Sequence, residues 1–250
     1  MNKTEKRQQV ILHEVQMHSR VLLTDLAHLL NVSTDTIRRD LTELDKRGQL
    51  KKVHGGATSI GFQYKTLAER GVYASESKSI IARKAIRLIE PNSVILISGG
   101  TTNLELARQL PQRLNATFFT PSLPIAIELL AHPAIDVIFI GGLLSRDSQI
   151  SIGGNALNTL SDIKVDICFL GTGYLDVTSG LSEFDWEVVQ MKKAMINASK
   201  RVVSLTISEK LNSIQRYRIC ETQAIDTLIT ELDPTEEVLK PYVSQNITVL

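Results

Sequence analysis

The chain has 250 residues, of which 43% are hydrophobic, 22% charged and 5% aromatic. This composition is that of a globular protein and excludes a disordered, collagen-like or disulfide-scaffold protein. The net charge of +1 excludes a globally basic nucleic-acid coat protein. The charge is unevenly distributed, because residues 1–56 carry +3 and the rest of the chain carries −2. A small basic segment before a larger, slightly acidic one indicates two domains with different tasks.

Cysteine usage and hydropathy indicate a soluble protein of a reducing compartment. Only Cys168 and Cys220 are present, they form no CxxC pair, and Cys168 lies in an apolar run typical of a buried strand. The N-terminus lacks the apolar core of a secretory signal. The longest apolar run, 137–144, is far shorter than the ~20 residues of a membrane span. We therefore expect a cytoplasmic protein without a membrane partner.

Residues 3–48 predict three helices separated by short breaks. The first has an apolar stripe, and the second is short, with Thr24 as its N-cap. Asn31 suits the tight turn that follows, because asparagine tolerates the left-handed backbone conformation. Ser33 is a good N-cap for the third helix, and Gly48 is a good terminator.

The third predicted helix has one apolar and one polar face. At about 100° per residue, Ile37, Leu41 and Leu44 fall on one side and pack inward. The polar side contains arginines, which clamp phosphates or pair with guanine. A short helix, a tight turn and a polar-faced helix form a helix-turn-helix, whose second helix enters the DNA major groove. The residues projecting from the polar side are Asp35, Arg38, Arg39, Thr42 and Lys46.

A short β-wing is predicted over residues 49–56. Lys51, Lys52 and His54 are placed there to contact DNA phosphates, and two glycines permit the turn. Charge on a helix face is most often only a solvated surface. The pattern alone therefore leaves open a three-helix packing module that binds no DNA.

The run 33–41 contains the string TIRRDL and resembles the recognition-helix signature of the DeoR family of bacterial transcriptional regulators. Arg7 and the apolar residues after it match the upstream part of that signature, and 51–57 resembles the family's wing, which ends in HGGA. The resemblance implies that residues 1–57 form a winged helix-turn-helix domain that binds double-stranded operator DNA. It adds three candidate DNA contacts, namely Ser33, Thr34 and Thr36.

The C-terminal part of the chain predicts an α/β domain. Residues 58–77 lack a clean period, so we expect a linker with a short helix around residues 67–70. From residue 78 apolar runs alternate with helical patterns, which predicts βαβ units and a mostly parallel sheet. Trp186 is expected to anchor the core. The predicted strands are 94–97, 117–119, 137–140, 167–170, 202–205 and 227–229, and the helices lie near 78–89, 102–110, 123–131, 154–160 and 186–199.

Polar or glycine-rich loops follow four successive predicted strands, at the sheet edge where ligands bind in such folds. The clearest is 98–102, in which glycines allow a ligand to approach the backbone, while hydroxyls and free N–H groups form an anion site. It contains neither GxxxxGK nor GxGxxG. For any one of these loops, a plain strand-to-helix turn is the alternative.

These loops, with stretches such as 191–195 and 208–210, resemble the DeoR-type sensor domain, whose fold is shared with ribose-5-phosphate isomerase and CoA-transferase-like enzymes. The resemblance implies that residues 78–250 bind a phosphorylated sugar or related metabolite, which alters operator affinity. The effector-binding residues it implies are Ser98, Gly99, Gly100, Thr101, Thr102, Ser122, Gly142, Gly171, Lys192 and Lys210, with Lys78 nearby. Ser98, Pro121 and Ile207 depart from the family pattern of Asp, Asn and Asp.

The expected function is a DNA-binding repressor of a carbohydrate-metabolism operon, acting as a homo-oligomer, either dimer or tetramer. One alternative is a constitutive DNA-binding protein with a non-sensing oligomerisation domain. Another is a sugar-phosphate isomerase, for which Glu183, Asp185 and Glu187 are candidate bases. The sequence shows no Ser-His-Asp arrangement, and its five histidines lack metal-ligand spacing. We therefore expect no enzymatic activity, no cofactor and no metal.

Overall fold

The computed structural model describes residues 2–18, 20–59 and 73–250. They belong to two compact units, the smaller unit Met1–Tyr73 and the larger unit Ala74–Leu250. The smaller unit has its own hydrophobic core, and the main core of the larger unit lies wholly within that unit. The expected short helix around residues 67–70 lies outside the described residues.

The smaller unit combines three helices with a three-stranded antiparallel sheet of order β1-β3-β2. Ile37, Leu41 and Leu44 are buried in its core, which confirms the predicted inward face of the third helix. The elements are α1 (Lys3–His18), β1 (Arg20–Leu22), α2 (Leu23–Leu29), α3 (Thr34–Lys46), β2 (Lys51–Val53) and β3 (Gly56–Thr58).

The breaks between these elements have the expected backbone geometry with one exception. Asn31 and Gly48 have φ values of 49° and 64°, as their predicted turn and terminator roles require. Thr24 is not an N-cap, because β1 leads directly into α2 and the Leu23 N–H bonds to the Gly55 carbonyl at 2.8 Å. β1 was not predicted, since three residues are too few to show an alternating pattern.

The larger unit is built on a seven-stranded parallel sheet of order β15-β14-β12-β9-β4-β5-β6. The six predicted strands are all present, which confirms the α/β class with a mostly parallel sheet. The seventh strand was missed because it has only two residues. The strands are β4 (Val94–Ile97), β5 (Ala116–Thr120), β6 (Ile135–Phe139), β9 (Ile167–Gly171), β12 (Val202–Leu205), β14 (Thr227–Ile229) and β15 (Thr248–Val249).

Short antiparallel elements and helices complete the larger unit. The hairpin consists of β7 (Leu143–Leu144) and β8 (Ser151–Ile152), and a second sheet consists of β10 (Tyr174–Asp176), β11 (Gly180–Glu183) and β13 (Tyr217–Cys220). The helices are α4 (Ser75–Ile86), α5 (Thr101–Gln109), α6 (Leu123–Leu129), α7 (Gly154–Ser161), α8 (Trp186–Asn197) and α9 (Lys240–Val243). In the described part of the chain, no helix is long and apolar enough to cross a membrane.

Two side chains test the predicted core. Cys168 is fully buried, as expected, and burial raises the pKa of its thiol to about 12. The expectation for Trp186 is wrong, because its side chain is 53% exposed. Asp185 caps α8, so Trp186 is the first residue of the helix and packs edge-to-face on Tyr217, with ring centroids 5.4 Å apart. The helix end thus places this ring beside β13 instead of in the core.

Candidate DNA interface and effector site

The start of α3 is held by Ser33, as its sequence position predicts. The Ser33 hydroxyl accepts a hydrogen bond from the Thr36 N–H at 3.2 Å and lies 2.9 Å from the Thr36 hydroxyl. Asp35 lies in the first turn, where its negative charge interacts favourably with the positive end of the helix dipole. Ser33 and Thr36, both predicted DNA contacts, therefore also stabilise the start of α3.

We expect Ser33→Ala to destabilise the smaller unit by about 1 kcal/mol, because an N–H at the helix start loses its acceptor. Hydrogen exchange of the α3 amides in the intact protein measures this, with about fivefold faster exchange expected for this loss. Ser33→Asp retains an acceptor and is expected to exchange like the wild type. Equal exchange rates in the wild type and Ser33→Ala would contradict the capping role.

The polar face of α3 forms one wall of an open groove of about 360 Å³. Arg38 is paired with Asp35, whereas Arg39 is exposed and forms no ion pair or side-chain hydrogen bond with the residues that the structure describes. Arg39 is therefore the arginine free to contact a base. The groove is lined by Arg38, Arg39, Thr42, Glu43, Lys46 and Lys52.

The wing is attached to this face through Thr42. The Thr42 hydroxyl donates to the Arg38 carbonyl and accepts from the Lys52 ammonium, both at 2.7 Å. Lys51 and His54 are exposed on the wing. The predicted DNA contacts thus lie on α3, on its N-cap and on the adjacent wing.

Asp40, the acidic residue of the TIRRDL string, does not face the groove. It is buried, and its carboxylate accepts hydrogen bonds from the Arg7 guanidinium at 2.5 and 3.0 Å. The Gln8 amide donates a third bond at 3.3 Å. The bond to Asp40 raises the pKa of the Arg7 guanidinium. Asp40 therefore ties α3 to α1, a role that sequence spacing alone did not reveal.

The loop after β4 is built around Ser98, at the carboxyl ends of two neighbouring strands. The buried Ser98 hydroxyl accepts from the Gly171 N–H at 2.8 Å and donates to the Gly99 carbonyl at 3.2 Å. A Cβ on Gly171 would lie 2.5 Å from the Gly99 carbonyl, so the two loops meet too closely for any larger residue. Ser122 lies on the other side, with its hydroxyl 3.6 Å from where a Gly99 Cβ would be.

The start of α5 adds hydroxyl and amide groups to the loop around Ser98. Gly100, with φ 119°, is the N-cap, and Thr101 and Thr102 begin the helix. The fully buried Asn103 amide donates to the Ser98 carbonyl at 2.8 Å and the Phe169 carbonyl at 3.2 Å. Its Oδ1 has no hydrogen-bond partner in the described part of the chain. Asn103 was not among the predicted site residues, although it adjoins the predicted loop.

Lys192 and Lys210 lie beside the loop after β9, and Lys78 lies near Lys210. The Lys192 ammonium lies 3.0 Å from Glu183 Oε2, and the Lys210 ammonium donates to the Thr172 carbonyl at 2.9 Å. Lys78 is buried, and burial together with the nearby charge of Lys210 lowers its pKa to about 7. The pKa of Lys210 is lowered to about 8, mainly by removal from water. Burial is thus the main cause of both lowered pKa values, and the charge of Lys210 adds to the effect on Lys78.

Gly142, the remaining predicted glycine, makes its contacts with the β7–β8 hairpin and α7. It follows β6 at the sheet edge, and its neighbours are the Ile152 carbonyl and Ala156. The other predicted positions lie in or beside the loops after β4, β5, β9 and β12, except Lys192, which lies on α8 and reaches Glu183. In the described residues, no group of histidine, cysteine and acidic side chains has a metal-binding arrangement.

Comparison with known proteins identifies both units. The model of the DeoR-like helix-turn-helix domain matches residues 7–62, and that of the DeoR C terminal sensor domain matches residues 74–232. The chain belongs to the DeoR family. The resemblance drawn from its sequence is confirmed, and the chain is a DeoR-family transcription regulator with a DNA-binding helix-turn-helix domain.

Relatives align with this DeoR-family chain over nearly its whole length. The transcriptional regulator GolR of Listeria innocua is 30% identical, covering 98% of this chain and 97% of that protein. The glycerol-3-phosphate regulon repressor of Escherichia coli is 30% identical, covering 98% of each chain. The repressor GlcR of Bacillus subtilis is 29% identical, covering 93% and 90%. These relatives are named as regulators and not as enzymes.

Solved structures match part of the chain. Ribose 5-phosphate isomerase A from Neisseria gonorrhoeae shares 18% identity at a TM-score of 0.42, covering 56% of this chain and 54% of that one.

Proposed function

We propose that this DeoR-family regulator represses a carbohydrate-metabolism operon and that a phosphorylated sugar or related metabolite bound in the larger unit controls its operator affinity. The observation that carries the proposal is the meeting of the loop 98–102, at the start of α5, with the loop after β9, where the Lys210 ammonium donates to the Thr172 carbonyl at 2.9 Å. An anion bound there would stabilise the charged form of Lys210, whose pKa is lowered mainly by burial, and of the nearby Lys78. The names of two relatives, a glycerol-3-phosphate regulon repressor and GlcR, agree with this direction.

The phosphate would lie against the start of α5. Its oxygens would accept from the backbone N–H groups at Gly100 and Thr101, where the helix dipole favours negative charge. The Thr101 hydroxyl has no side-chain partner in the described residues and would supply a further donor. Lys192 is already paired with Glu183 and would act by adding charge at greater distance.

The departures from the family pattern determine which side chains could bind the hydroxyl groups of the sugar. The Ser98 hydroxyl is engaged with Gly171 and Asn103, and Ile207 is buried and apolar. Neither position offers a carboxylate to sugar hydroxyls. We infer that the phosphate supplies most of the recognition in this protein and that Asn103 Oδ1 supplies a buried acceptor.

The regulator would act as a homo-oligomer. Helix-turn-helix proteins bind as dimers to half-sites separated by about one helical turn of DNA or a multiple of it. Effector binding that favours one arrangement of the subunits by about 1–3 kcal/mol changes operator affinity by about 5- to 150-fold.

The placement of the phosphate predicts the effect of Thr101→Val. The ligand is the phosphosugar that binds the wild type most tightly among a panel. We expect Thr101→Val to bind it about tenfold more weakly, because one charge-assisted hydrogen bond is lost. Isothermal titration measures the affinity. Thr178→Val, in the exposed β10–β11 turn, is the matched control and is expected to bind like the wild type. Unchanged binding by Thr101→Val would contradict the placement at the start of α5.

Effector affinity is expected to fall as pH rises. In the free protein Lys78 and Lys210 lose their protons above about pH 7 and about pH 8, whereas a bound dianion holds both protons in place. Binding then requires proton uptake, so the affinity drops on the order of 500-fold between about pH 7 and about pH 9. A phosphate monoester has a second pKa of about 6 and therefore remains mostly a dianion over this range. A pH-independent affinity would contradict the role of these lysines.

Ligand-free stability is expected to change in the opposite direction. Unfolded Lys78 holds its proton up to about pH 10.5, whereas the folded side chain releases it near 7. Unfolding therefore takes up a proton in this interval, and the free energy of unfolding rises with pH there.

A further inference from the structure

The edge strand β6 lacks a neighbour on its outer side. It pairs with β5 through all five of its residues, and among the described residues no strand pairs with its other edge. Such an edge presents free backbone N–H and C=O groups that can pair with another chain. The opposite edge strand of the sheet, β15, has only two residues. β6 is therefore the edge with the longer free ladder.

Exposed apolar side chains gather at this edge. In the larger unit the structure describes ten exposed large apolar side chains, and seven of them lie between residues 123 and 144. α6 packs on β6, and the β7–β8 hairpin is joined to the start of α6 by the Leu123 N–H and Gln149 carbonyl at 3.0 Å. We call this region the β6 patch, consisting of Leu123, Ile127, Leu130, Ile138, Phe139, Leu143 and Leu144.

The size of the β6 patch is that of an interface. The seven side chains are 37–72% exposed. At about 180 Å² for a fully exposed side chain they present roughly 600 Å², close to the ~800 Å² that each partner buries in a stable complex. The largest apolar patch of a typical monomer is about 300–600 Å², so this one is at the upper limit.

The charges around the β6 patch allow it to pair with itself. The single charged side chain of α6, Glu128, is paired with Arg108 of α5 at 3.3 Å. In β6 the single charged residue is Asp136. An antiparallel pairing of two β6 strands centred on Val137 would place Asp136 opposite Ile138, so that no like charges face each other.

We propose that the β6 patch binds the same patch of a second copy of this chain, with two β6 strands pairing antiparallel about a two-fold axis at Val137. The two seven-stranded sheets then form one continuous sheet, and the free edges are covered. A self-complementary surface of this kind closes into a dimer. The inference rests on the proposed function insofar as an operator of two half-sites requires two copies.

The first test is the mass of the full chain in solution, measured by light scattering without DNA or effector. We expect the wild type at an even multiple of 27.7 kDa and Ile138→Lys at half the wild-type mass. Ile138 is 42% exposed, so a lysine fits the monomer. Ile214→Lys, at an exposed apolar residue outside the β6 patch, is the control and should keep the wild-type mass.

The second test is a cross-link, which does not depend on a charged variant folding. Residues opposite each other in an antiparallel pair have Cα atoms about 4.5–5.5 Å apart, within the range of a disulfide. Val137→Cys is expected to form a disulfide-linked dimer on mild oxidation. The wild type, which contains Cys168 and Cys220, is the control and should form none.

A monomeric wild type, a folded Ile138→Lys protein of unchanged mass, or a Val137→Cys protein without cross-link would overturn the proposal. Failure of the proposed function would be distinguishable, since it would appear as absent operator or effector binding in a protein whose mass and cross-link still follow the expectation.

Discussion

Replacing Asp40 with alanine is expected to speed hydrogen exchange of the α3 amides on the order of 100-fold in the intact protein. The Arg7 guanidinium, which donates two bonds to Asp40, would be left partly buried without its partner. Breaking a buried pair from one side costs about 3–5 kcal/mol, and the lower value applies here because Arg7 keeps some exposure. Amides of β4 and β9 are expected to exchange as in the wild type, because they lie in the larger unit.

Asp35→Ala is the matched control for this experiment. Asp35 lies on the same helix and is also paired with an arginine, but both side chains are exposed. Exposed pairs contribute less than about 1 kcal/mol, so a change of less than fivefold in exchange rate is expected. If Asp40→Ala behaved like Asp35→Ala, the link between α1 and α3 would not be the stabilising contact described here.

Arg39→Ala is expected to weaken operator binding by about 10- to 100-fold, the effect of losing a paired contact to a base. Among the arginines of the groove, Arg39 is the one without a partner in the described residues, whereas Arg38 is held by Asp35. Fluorescence anisotropy on an operator duplex selected from a random library measures the affinity, at one stated salt concentration.

The comparison with a scrambled duplex separates the two possible contacts of Arg39. A base contact lowers affinity for the operator and leaves the scrambled duplex less affected, whereas a phosphate contact lowers both equally. Arg113→Ala, an exposed arginine of the larger unit, removes the same charge and is expected to leave both affinities unchanged. Equal losses on both duplexes would contradict base reading by Arg39.

Much of the fold follows from local signals in the sequence. The period of Ile37, Leu41 and Leu44 predicted the buried face of α3, and Ser33 and Gly48 predicted its ends. In the larger unit, apolar runs predicted six of the seven parallel strands, because strands buried on both faces are continuously apolar. Such features depend on neighbouring residues, so a single sequence displays them.

Contacts between distant residues were not predictable in the same way. Arg7 and Asp40 are 33 positions apart, and Ser98 and Gly171 are 73 apart. Composition and period contain no information about which distant groups meet. Trp186 shows a second limit, since one aromatic residue in an apolar helix predicts burial, but the cap at Asp185 places the ring at the helix end.

The candidate effector site contains features that local sequence predicts and contacts between distant residues that it does not predict. The glycines and threonines of 98–102 were identified by their position after a strand, and the structure places them beside Ser122 and Gly171. The closeness of Lys78 to Lys210 depends on α4 and on the loop after β12, which are far apart in sequence. The resemblance pointed to these lysines, whereas their burial and the effect of Lys210 on Lys78 depend on the fold.

Operator binding with and without phosphosugars tests the central claim most directly. The wild type is titrated into the selected operator and a scrambled duplex at one salt concentration, with each member of a phosphosugar panel in turn. We expect at least about 1000-fold preference for the operator over the scrambled duplex. We also expect one phosphosugar to change operator affinity by about 5- to 150-fold. Operator affinity that no phosphosugar changes would contradict the sensor role and indicate a constitutive DNA-binding protein.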